Sequence, residues 1–314
     1  MVSLKGESIV IFGGSGFIGS HLAERLVNLG AKVTVADKDA PSAFFGGIIR
    51  KVGFEKTNIL KKDDLKPLLR KSKYVFNLAA ALPFSGKTDD YLSSCINVNI
   101  RGAANIASAA KEAGVKKLVF ISGYVVYGIP EYLPMDEKHP TNPIDFYGAS
   151  KLAAEKYLEV ICRQAPGLSL VILRLSSVYG PRQISQGLIP NLMRASISNS
   201  NIVINARGQE KRDYVYINDA VDALILSLKD DAVGVFNVGN NQSVSANQII
   251  EIIEKLSGRS FRIKYRNNKS PISEVILSNK RTWKYLSYQP KVSINDGLAL
   301  TYQWFKNNYA GKNK

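Results

Sequence analysis

With 314 residues, 45% of them hydrophobic, and a formal net charge of +16, the chain is long enough to bury a sizeable core as one large α/β unit or two lobes. No apolar run is long enough to span a bilayer, and residues 1–7 lack the apolar stretch of a signal peptide, which predicts a cytoplasmic protein with no membrane partner. Lysine and arginine are spread along the length without a long basic run, a zinc-finger spacing or an aromatic RNA-binding signature, so the charge speaks for a basic surface suited to the host cell or to steering a small anionic substrate, and against nucleic acid.

In chain order, residues 9–12 are apolar throughout, as suits a parallel strand buried on both faces. The strand runs into Gly13-Gly14-Ser15-Gly16-Phe17-Ile18-Gly19, and an amphipathic helix follows through Leu29. Gly13 permits a tight turn, Gly16 lets the backbone approach a pyrophosphate, and Gly19 allows close packing of helix on strand. The helix start at Phe17 and Ile18 offers its unpaired N–H groups to the phosphates. His21, one turn on, is assigned to helix packing. Residues 31–37 form the second strand, and Asp37 stands at its end, about 20 residues past the glycine turn, where an acid accepts bonds from adenosine ribose hydroxyls. A carboxylate there repels a 2′-phosphate, which predicts NAD over NADP, with Lys38 beside it.

Residues 41–47 are a turn-rich loop, 52–59 contain a third strand, and 61–71 a short helix; Asn58 and Ile59 are set toward the adenine. The buried strand predicted at 74–81 ends in small residues, so that Leu78, Ala79 and Ala80 let a cofactor lie against the backbone. After a loop holding Pro83 and Gly86, a long helix is predicted from 89 to 113, with Asn99 on it. Residues 118–121 are the fifth strand and run into Ser122-Gly123-Tyr124-Val125-Val126-Tyr127-Gly128. Cys95 and Cys162 show no metal-ligand spacing and read as buried thiols, so neither a disulfide framework nor a metal site is expected.

Pro140 and Pro143 mark a loop before a helix that starts near Tyr147 and continues to Gln164. On it Tyr147 and Lys151, four residues apart, share one face. An ammonium beside a phenol favours the phenolate, drawing a group that titrates near ~10 toward neutrality, where it can take a proton from a sugar or alcohol hydroxyl. Residues 169–175 are the sixth strand. The alternating strands and helices predict an α/β fold with a right-handed, doubly wound parallel sheet of the Rossmann type, its ligands beyond the carboxyl ends of the strands.

Past the sixth strand the rhythm changes. Gly180-Pro181 breaks the chain, a helix spans 188–198, Gly208 precedes 211–216, and a helix at 218–229 with a strand at 235–238 returns to the first lobe. The predicted division is a dinucleotide-binding domain at 1–175, with returning segments at about 213–240 and 293–314, and a smaller mixed α/β substrate-binding lobe from 176–212 and 241–292. A closing helix is predicted at 294–307.

The ordered series Gly13/Gly16/Gly19, Asp37, Leu78-Ala79-Ala80, Asn99, Val126-Tyr127-Gly128, Tyr147/Lys151, Arg174, Tyr179-Gly180-Pro181-Arg182, Leu188-Ile189-Pro190 and Arg212-Asp213-Tyr214-Val215-Tyr216 resembles the extended short-chain dehydrogenase/reductase family. The likeness is to its NAD-dependent nucleotide-sugar epimerases and dehydratases related to UDP-galactose 4-epimerase, and it covers nearly the whole chain. It implies Tyr147 as base, Lys151 as ligand of the nicotinamide ribose that also depresses the tyrosine pKa, and Asn99 and Ser122 on the cofactor. Gly123, Tyr124, Ser177 and Leu188 would line the substrate, and Arg212 would hold its phosphate, for which a guanidinium fork is suited. The implied reaction is oxidation at sugar C4 by hydride transfer to NAD, rotation of the keto sugar, and return of the hydride to its other face. The family also implies a homodimer formed through the helices at 89–113 and 145–164.

The chain departs from that pattern at definite places. Gly123 stands where the family has a catalytic Ser or Thr, and Ser122 is one residue too early and points the other way on a strand. Tyr124 and Val125 occupy the Asp-Glu positions of related dehydratases, which disfavours elimination of water. Ser177 replaces an Asn, and the second phosphate-binding Arg has no clear match at 269–279, leaving Arg262, Arg266 or Lys269 to substitute. The alternatives to an epimerase are an NAD(P)-dependent reductase or dehydrogenase of a carbonyl or alcohol, and a catalytically impaired NAD-binding regulator.

Overall fold

The computed structural model describes residues 3–41, 50–82, 88–184, 187–198, 200–268 and 271–309. The chain opens with β1 (Ser8–Phe12), α1 (Phe17–Asn28), β2 (Lys32–Asp37), β3 (Gly53–Lys56), α2 (Lys62–Leu69) and β4 (Tyr74–Asn77). It continues through α3 (Thr88–Ser94), a π-helical segment (Cys95–Gly102), α4 (Ala103–Ala113), β5 (Lys117–Gly123), α5 (Phe146–Arg163) and β6 (Ser169–Leu175). The remaining elements are β7 (Ser177–Tyr179), α6 (Leu188–Ser198), β8 (Ile202–Asn205), β9 (Lys211–Tyr216), α7 (Ile217–Leu226), β10 (Gly234–Val238), β11 (Ser243–Ser245), α8 (Ala246–Ser257), β12 (Ile263–Arg266), α9 (Lys280–Leu286) and α10 (Ile294–Tyr309).

Strand sequence dictates the layering. Along β5, Val119 and Ile121 belong to one hydrophobic core and Leu118 and Phe120 to another, because successive side chains point to opposite faces. The first core takes Leu22 and Leu26 of α1 and Val221 and Leu224 of α7; the second takes Ile106 and Ala110 of α4 and Ala154 and Leu158 of α5. The sheet is seven-stranded in the order β10-β6-β5-β4-β1-β2-β3, every pair parallel. This is the doubly wound α/β fold expected, and strand order reverses between β1 and β4, where such sheets gather their ligands. Two small sheets, β11-β9-β7 and β12-β8, carry the mixed part.

The structure corrects two expected elements. The helix expected without interruption over 89–113 has a π segment at its centre, where hydrogen bonds skip one residue further and the surface residues rotate. The strand expected over 74–81 stops at Asn77: its partner β1 ends at Phe12, and the last pairing bond runs from Leu78 N to Phe12 O at 2.9 Å. The turn-rich loop at 41–47 beyond its first residue, and the loop with Pro83 and Gly86, lie outside the described residues. Cys95 and Cys162 are buried and unbridged, and among the described residues no helix is long and apolar enough to cross a membrane.

One buried ion pair seats α5 on the sheet. Arg174 of β6 donates to Glu155 through Nε at 3.1 Å and Nη2 at 2.6 Å, its guanidinium lies 4.8 Å from the Tyr127 ring centroid, and the two side chains are 5% and 0% exposed. Removing one partner of such a pair strands the other charge in a low dielectric. Glu155→Ala is therefore expected to lower unfolding stability by about 3–5 kcal/mol in a denaturant titration, and Glu155→Leu combined with Arg174→Met to lower it much less.

Candidate active site

The site begins where β1 ends. Gly13 takes a φ of 75°, and a Cβ there would lie 2.6 Å from the Ala79 nitrogen and 2.7 Å from the Leu78 carbonyl carbon. A Cβ on Gly19 would lie 2.6 Å from Gly14 Cα. Only hydrogen fits at either position, so backbone meets backbone and the turn lies flat under the end of β4. Gly16 caps α1 with extended backbone and without a side-chain bond, and the first turn of α1, which holds Phe17, Ile18 and Gly19, has no acidic residue. Its N–H groups and the positive end of its dipole are left for an anion.

Asp37, at the end of β2, faces this turn: Oδ2 accepts from Ser15 N at 3.0 Å and Oδ1 from Asp39 N at 3.3 Å. A flat cradle with open N–H groups and a carboxylate beside it fits the phosphates and adenosine ribose of a dinucleotide such as NAD. Lys38 is exposed next door. Asn58 is exposed and spends Oδ1 on Leu60 N at 3.0 Å; the Ile59 side chain packs where Gly102 has no Cβ. His21 is a packing residue, with Nε2 donating to Pro181 O at 2.9 Å; burial holds its pKa down to about 4, so it is neutral near pH 7.

Tyr147 and Lys151 stand one turn apart on α5. Asp145 caps that helix, its Oδ1 accepting from Gly148 N at 2.7 Å. Asn99, 1% exposed, ties α5 to the end of β4. Its Oδ1 accepts from Ala81 N at 2.7 Å, its Nδ2 donates to Ser150 Oγ at 2.8 Å, and Ser150 Oγ donates to Tyr147 O at 2.8 Å. The amide of Asn99, which the resemblance sets on the cofactor, is engaged within the protein in this way. Its spacing from Cys95 and Gly102, four residues after one and three before the other, puts Asn99 on the buried side of the segment and is the signal for this role.

Electrostatics overturn one expectation. Burial, helped by Asp145, Cys95 and Tyr124, pushes the Tyr147 phenol up to about 12, and burial brings the Lys151 amine down to about 7, with Glu155 opposing. Lys151 therefore does not depress the tyrosine in the protein alone. The reason is desolvation: the amine is itself buried, with Nζ 4.1 Å from the Phe120 ring centroid, and each group of the pair is held toward its neutral form.

The end of β5 completes the floor. Ser122 is 4% exposed and its Oγ finds no partner among the described residues; alternation puts it on the α5 face with Phe120. Gly123 is extended, with φ −154°, and a Cβ there would meet only Val125 Cγ2 at 3.6 Å and Leu175 O at 3.7 Å, so nothing in the backbone demands glycine. Ser177, half-buried, pairs with Tyr214 across β7 and β9, and Leu188 opens α6. Asp213 turns inward to accept from Asn240 N at 2.7 Å and Leu277 N at 3.1 Å, which sends Arg212 and Tyr214 to the other side of β9. Arg212 is pinned by Glu210, 2.8 Å away, and by the carbonyls of Lys211 and Ile272 at 2.9 and 3.2 Å. No motif in the sequence signals that anchoring, since Glu210 and Ile272 belong to none. Arg262 and Arg266 are exposed on and beside β12, and Lys269 lies outside the described residues. No group of His, Cys, Asp and Glu able to hold a metal ion occurs among the described residues.

The sequence model of the NAD dependent epimerase/dehydratase family matches residues 9–239. A putative UDP-glucose 4-epimerase of Methanocaldococcus jannaschii is 30% identical, over 96% of this chain and 99% of its own. A UDP-N-acetyl-α-D-glucosaminuronate decarboxylase of Bacillus cytotoxicus is 29% identical over 95% and 97%. Among solved structures, the UDP-glucuronic acid 4-epimerase of Bacillus cereus in complex with UDP-glucuronic acid and NAD superposes with a TM-score of 0.88, 28% identity, and coverage of 96% and 100%.

The depressed Lys151 pKa has a measurable sign. Between the folded value of about 7 and the ordinary 10.5, the unfolded chain binds this proton and the folded chain does not, so the contribution to stability is present above that window and lost as pH falls through it. Lys151→Met removes the titration at little change in volume. The variant is expected to lose turnover yet to raise the melting temperature by a few degrees at about pH 6, with the difference shrinking toward about pH 10.

Proposed function

This chain belongs to the NAD dependent epimerase/dehydratase family, an enzyme family, and from that premise we propose that it inverts C4 of the sugar in a UDP-activated sugar. The observation that carries the reading is the Tyr147/Lys151 face of α5, bound through Ser150 and Asn99 to the end of β4, beside the glycine cradle of β1. Relatives named for UDP-sugar 4-epimerization support it. The structure described here is of the protein alone, and the cradle, the first turn of α1 and Asp37 are the groups that would hold NAD. When bound, NAD supplies the acceptor and then the donor of the hydride, and brings positive charge to the site.

The residues of the chain do the rest. Tyr147, as phenolate, takes the proton of the C4 hydroxyl and later returns it; its burial makes ionisation costly, so the surrounding donors and charge have to offset that cost. Lys151 orients the ribose next to the tyrosine and lends positive charge whenever it is protonated. Arg212, held by Glu210, presents its guanidinium edge to the diphosphate. Residues 176–212 and 241–292 form the substrate side, and 1–175 with the returning segments 213–240 and 293–314 the cofactor side. Exposed Ile96, Tyr157 and Val160 support pairing of two copies through the π segment and α5. A decarboxylase is the second reading, favoured by the Bacillus cytotoxicus relative; it would share the C4 oxidation and differ in product.

Incubation with UDP-glucose, UDP-glucuronic acid and UDP-N-acetylglucosamine, followed by product analysis, separates these readings: a C4 epimer supports the proposal, and carbon dioxide from the uronic acid supports the second. Tyr147→Phe is expected to keep the fold and cofactor and abolish turnover, and near-normal activity would remove Tyr147 as the base. With Asp37 beside the ribose, NAD is expected to bind more than about tenfold tighter than NADP, about 1.4 kcal/mol or more; equal affinities by titration would defeat the assignment of Asp37. Arg212→Ala is expected chiefly to raise KM, as loss of uniform binding does.

A further inference from the structure

A sugar oxygen that develops negative charge in a buried site needs positioned hydrogen-bond donors, and they are worth most where water is excluded. Gly123, which ends β5 next to α5, contributes no side chain. The following residue does. Tyr124 opens a single 3-10 turn, Tyr124–Val126, and that turn rests on the first turn of α5: a Cβ on Gly148 would lie 2.7 Å from the Val125 carbonyl oxygen. Gly148 directly follows Tyr147, so the turn that carries Tyr124 is seated against the segment that carries the base.

The Tyr124 ring is half-buried and packs, with Leu152 of α5 and Ile272, against the small cluster of Val126, Tyr127, Met135, Val275 and Leu277. Ile272 is the residue whose carbonyl accepts from Arg212. Tyr124 thus lies between the helix of Tyr147 and the anchor of Arg212, where a sugar joined to a diphosphate would run. Its hydroxyl makes no hydrogen bond among the described residues. Both Tyr147 and Tyr214 are electrostatic neighbours of this phenol. Ser122, the other hydroxyl at the strand end, faces α5 beside Phe120 and does not replace a side chain at Gly123.

The geometry points to Tyr124 as a catalytic residue whose hydroxyl donates a hydrogen bond to the sugar oxygen that Tyr147 deprotonates. This rests on the reading given under Proposed function. Tyr124 keeps its proton throughout: the hydroxyl proton of the sugar passes to Tyr147 and the C4 hydride to NAD, and both return to the sugar. The hydrogen bond from Tyr124 strengthens as charge builds on the oxygen, and so acts on kcat more than on KM.

The test compares wild type, Tyr124→Phe, Tyr147→Phe and the double variant Gly123→Ser/Tyr124→Phe as purified holoenzymes with the same three UDP-sugars. Turnover, transient NADH absorbance, retained NAD and melting temperature are read for each. Tyr124→Phe is expected to lower kcat at least about tenfold while changing KM less than about twofold, with NAD content and melting temperature unchanged, and the added serine to recover a large part of the loss. A Tyr124→Phe enzyme within about twofold of wild type beside an inactive Tyr147→Phe would overturn the proposal and leave the function intact. A loss accompanied by released NAD or a lowered melting temperature, and not recovered by the serine, would overturn it as well by making the role structural. A wild type that neither converts any of the three sugars nor shows reduced cofactor with them removes the functional reading, and this assignment with it.

Discussion

The site depends on one buried amide. Asn99 reaches from the π segment to Ala81 on one side and to Ser150 on the other, and no other side-chain hydrogen bond within the described residues joins the end of β4 to α5. The glycine cradle is built against β4, since Gly13 touches Leu78 and Ala79, whereas Tyr147 and Lys151 belong to α5. Asn99 therefore ties the cradle to the helix face, beside the core packing of α5 and its Arg174–Glu155 pair. A buried amide left without its partners is unfavourable by about 1–3 kcal/mol, which makes the correct spacing the lower-energy one. The π segment serves the same end. It carries Asn99 on its buried side together with Cys95 and Gly102, in line with the buried face of α4.

Beneath that amide, α5 crowds ionisable groups against the sheet. Lys151, Glu155 and Arg174 are all buried, and they are handled differently. Glu155 and Arg174 satisfy each other in a two-bond pair, an arrangement that holds a helix in register more than it adds stability. Lys151 has no carboxylate in bonding range among the described residues, and burial disfavours its charge although the amine lies over the Phe120 ring, which attracts a cation. A lysine kept in that condition is structurally expensive and chemically adjustable, because small changes in its surroundings move it between ammonium and amine near pH 7. The same burial that raises Tyr147 makes that phenol responsive to any donor or positive charge placed beside it.

The substrate side follows another rule. There the side chains are fixed by partners on separate segments: Asp213 receives backbone donors from residues 240 and 277, and Arg212 is gripped between Glu210 and the backbone at Ile272. Pinning a guanidinium in advance lowers the entropy lost when it binds an anion. It also leaves part of the fork committed to protein, so the geometry of the pin decides which edge is presented.

What the sequence determined by itself is what depends on near neighbours. Strand runs buried on both faces, the Gly13/Gly16/Gly19 spacing, the acid at the end of β2 and the one-turn spacing of Tyr147 and Lys151 are local periodicities, and the doubly wound sheet follows from their order. Even the resemblance to a sugar-nucleotide enzyme family rests on such short motifs in sequence. The tertiary structure alone decided the rest. Asn99 reads as a cofactor residue on a helix, and its bonds to Ala81 and Ser150 come only with the fold; Arg212 reads as a phosphate ligand, and its anchoring by Glu210 and Ile272 is likewise tertiary. Lys151 beside Tyr147 predicts a lowered phenol pKa, because charge proximity is legible in spacing; the opposite result arises from desolvation, which is a sum over all atoms packed around both groups. Burial, unlike spacing, belongs to the folded chain as a whole.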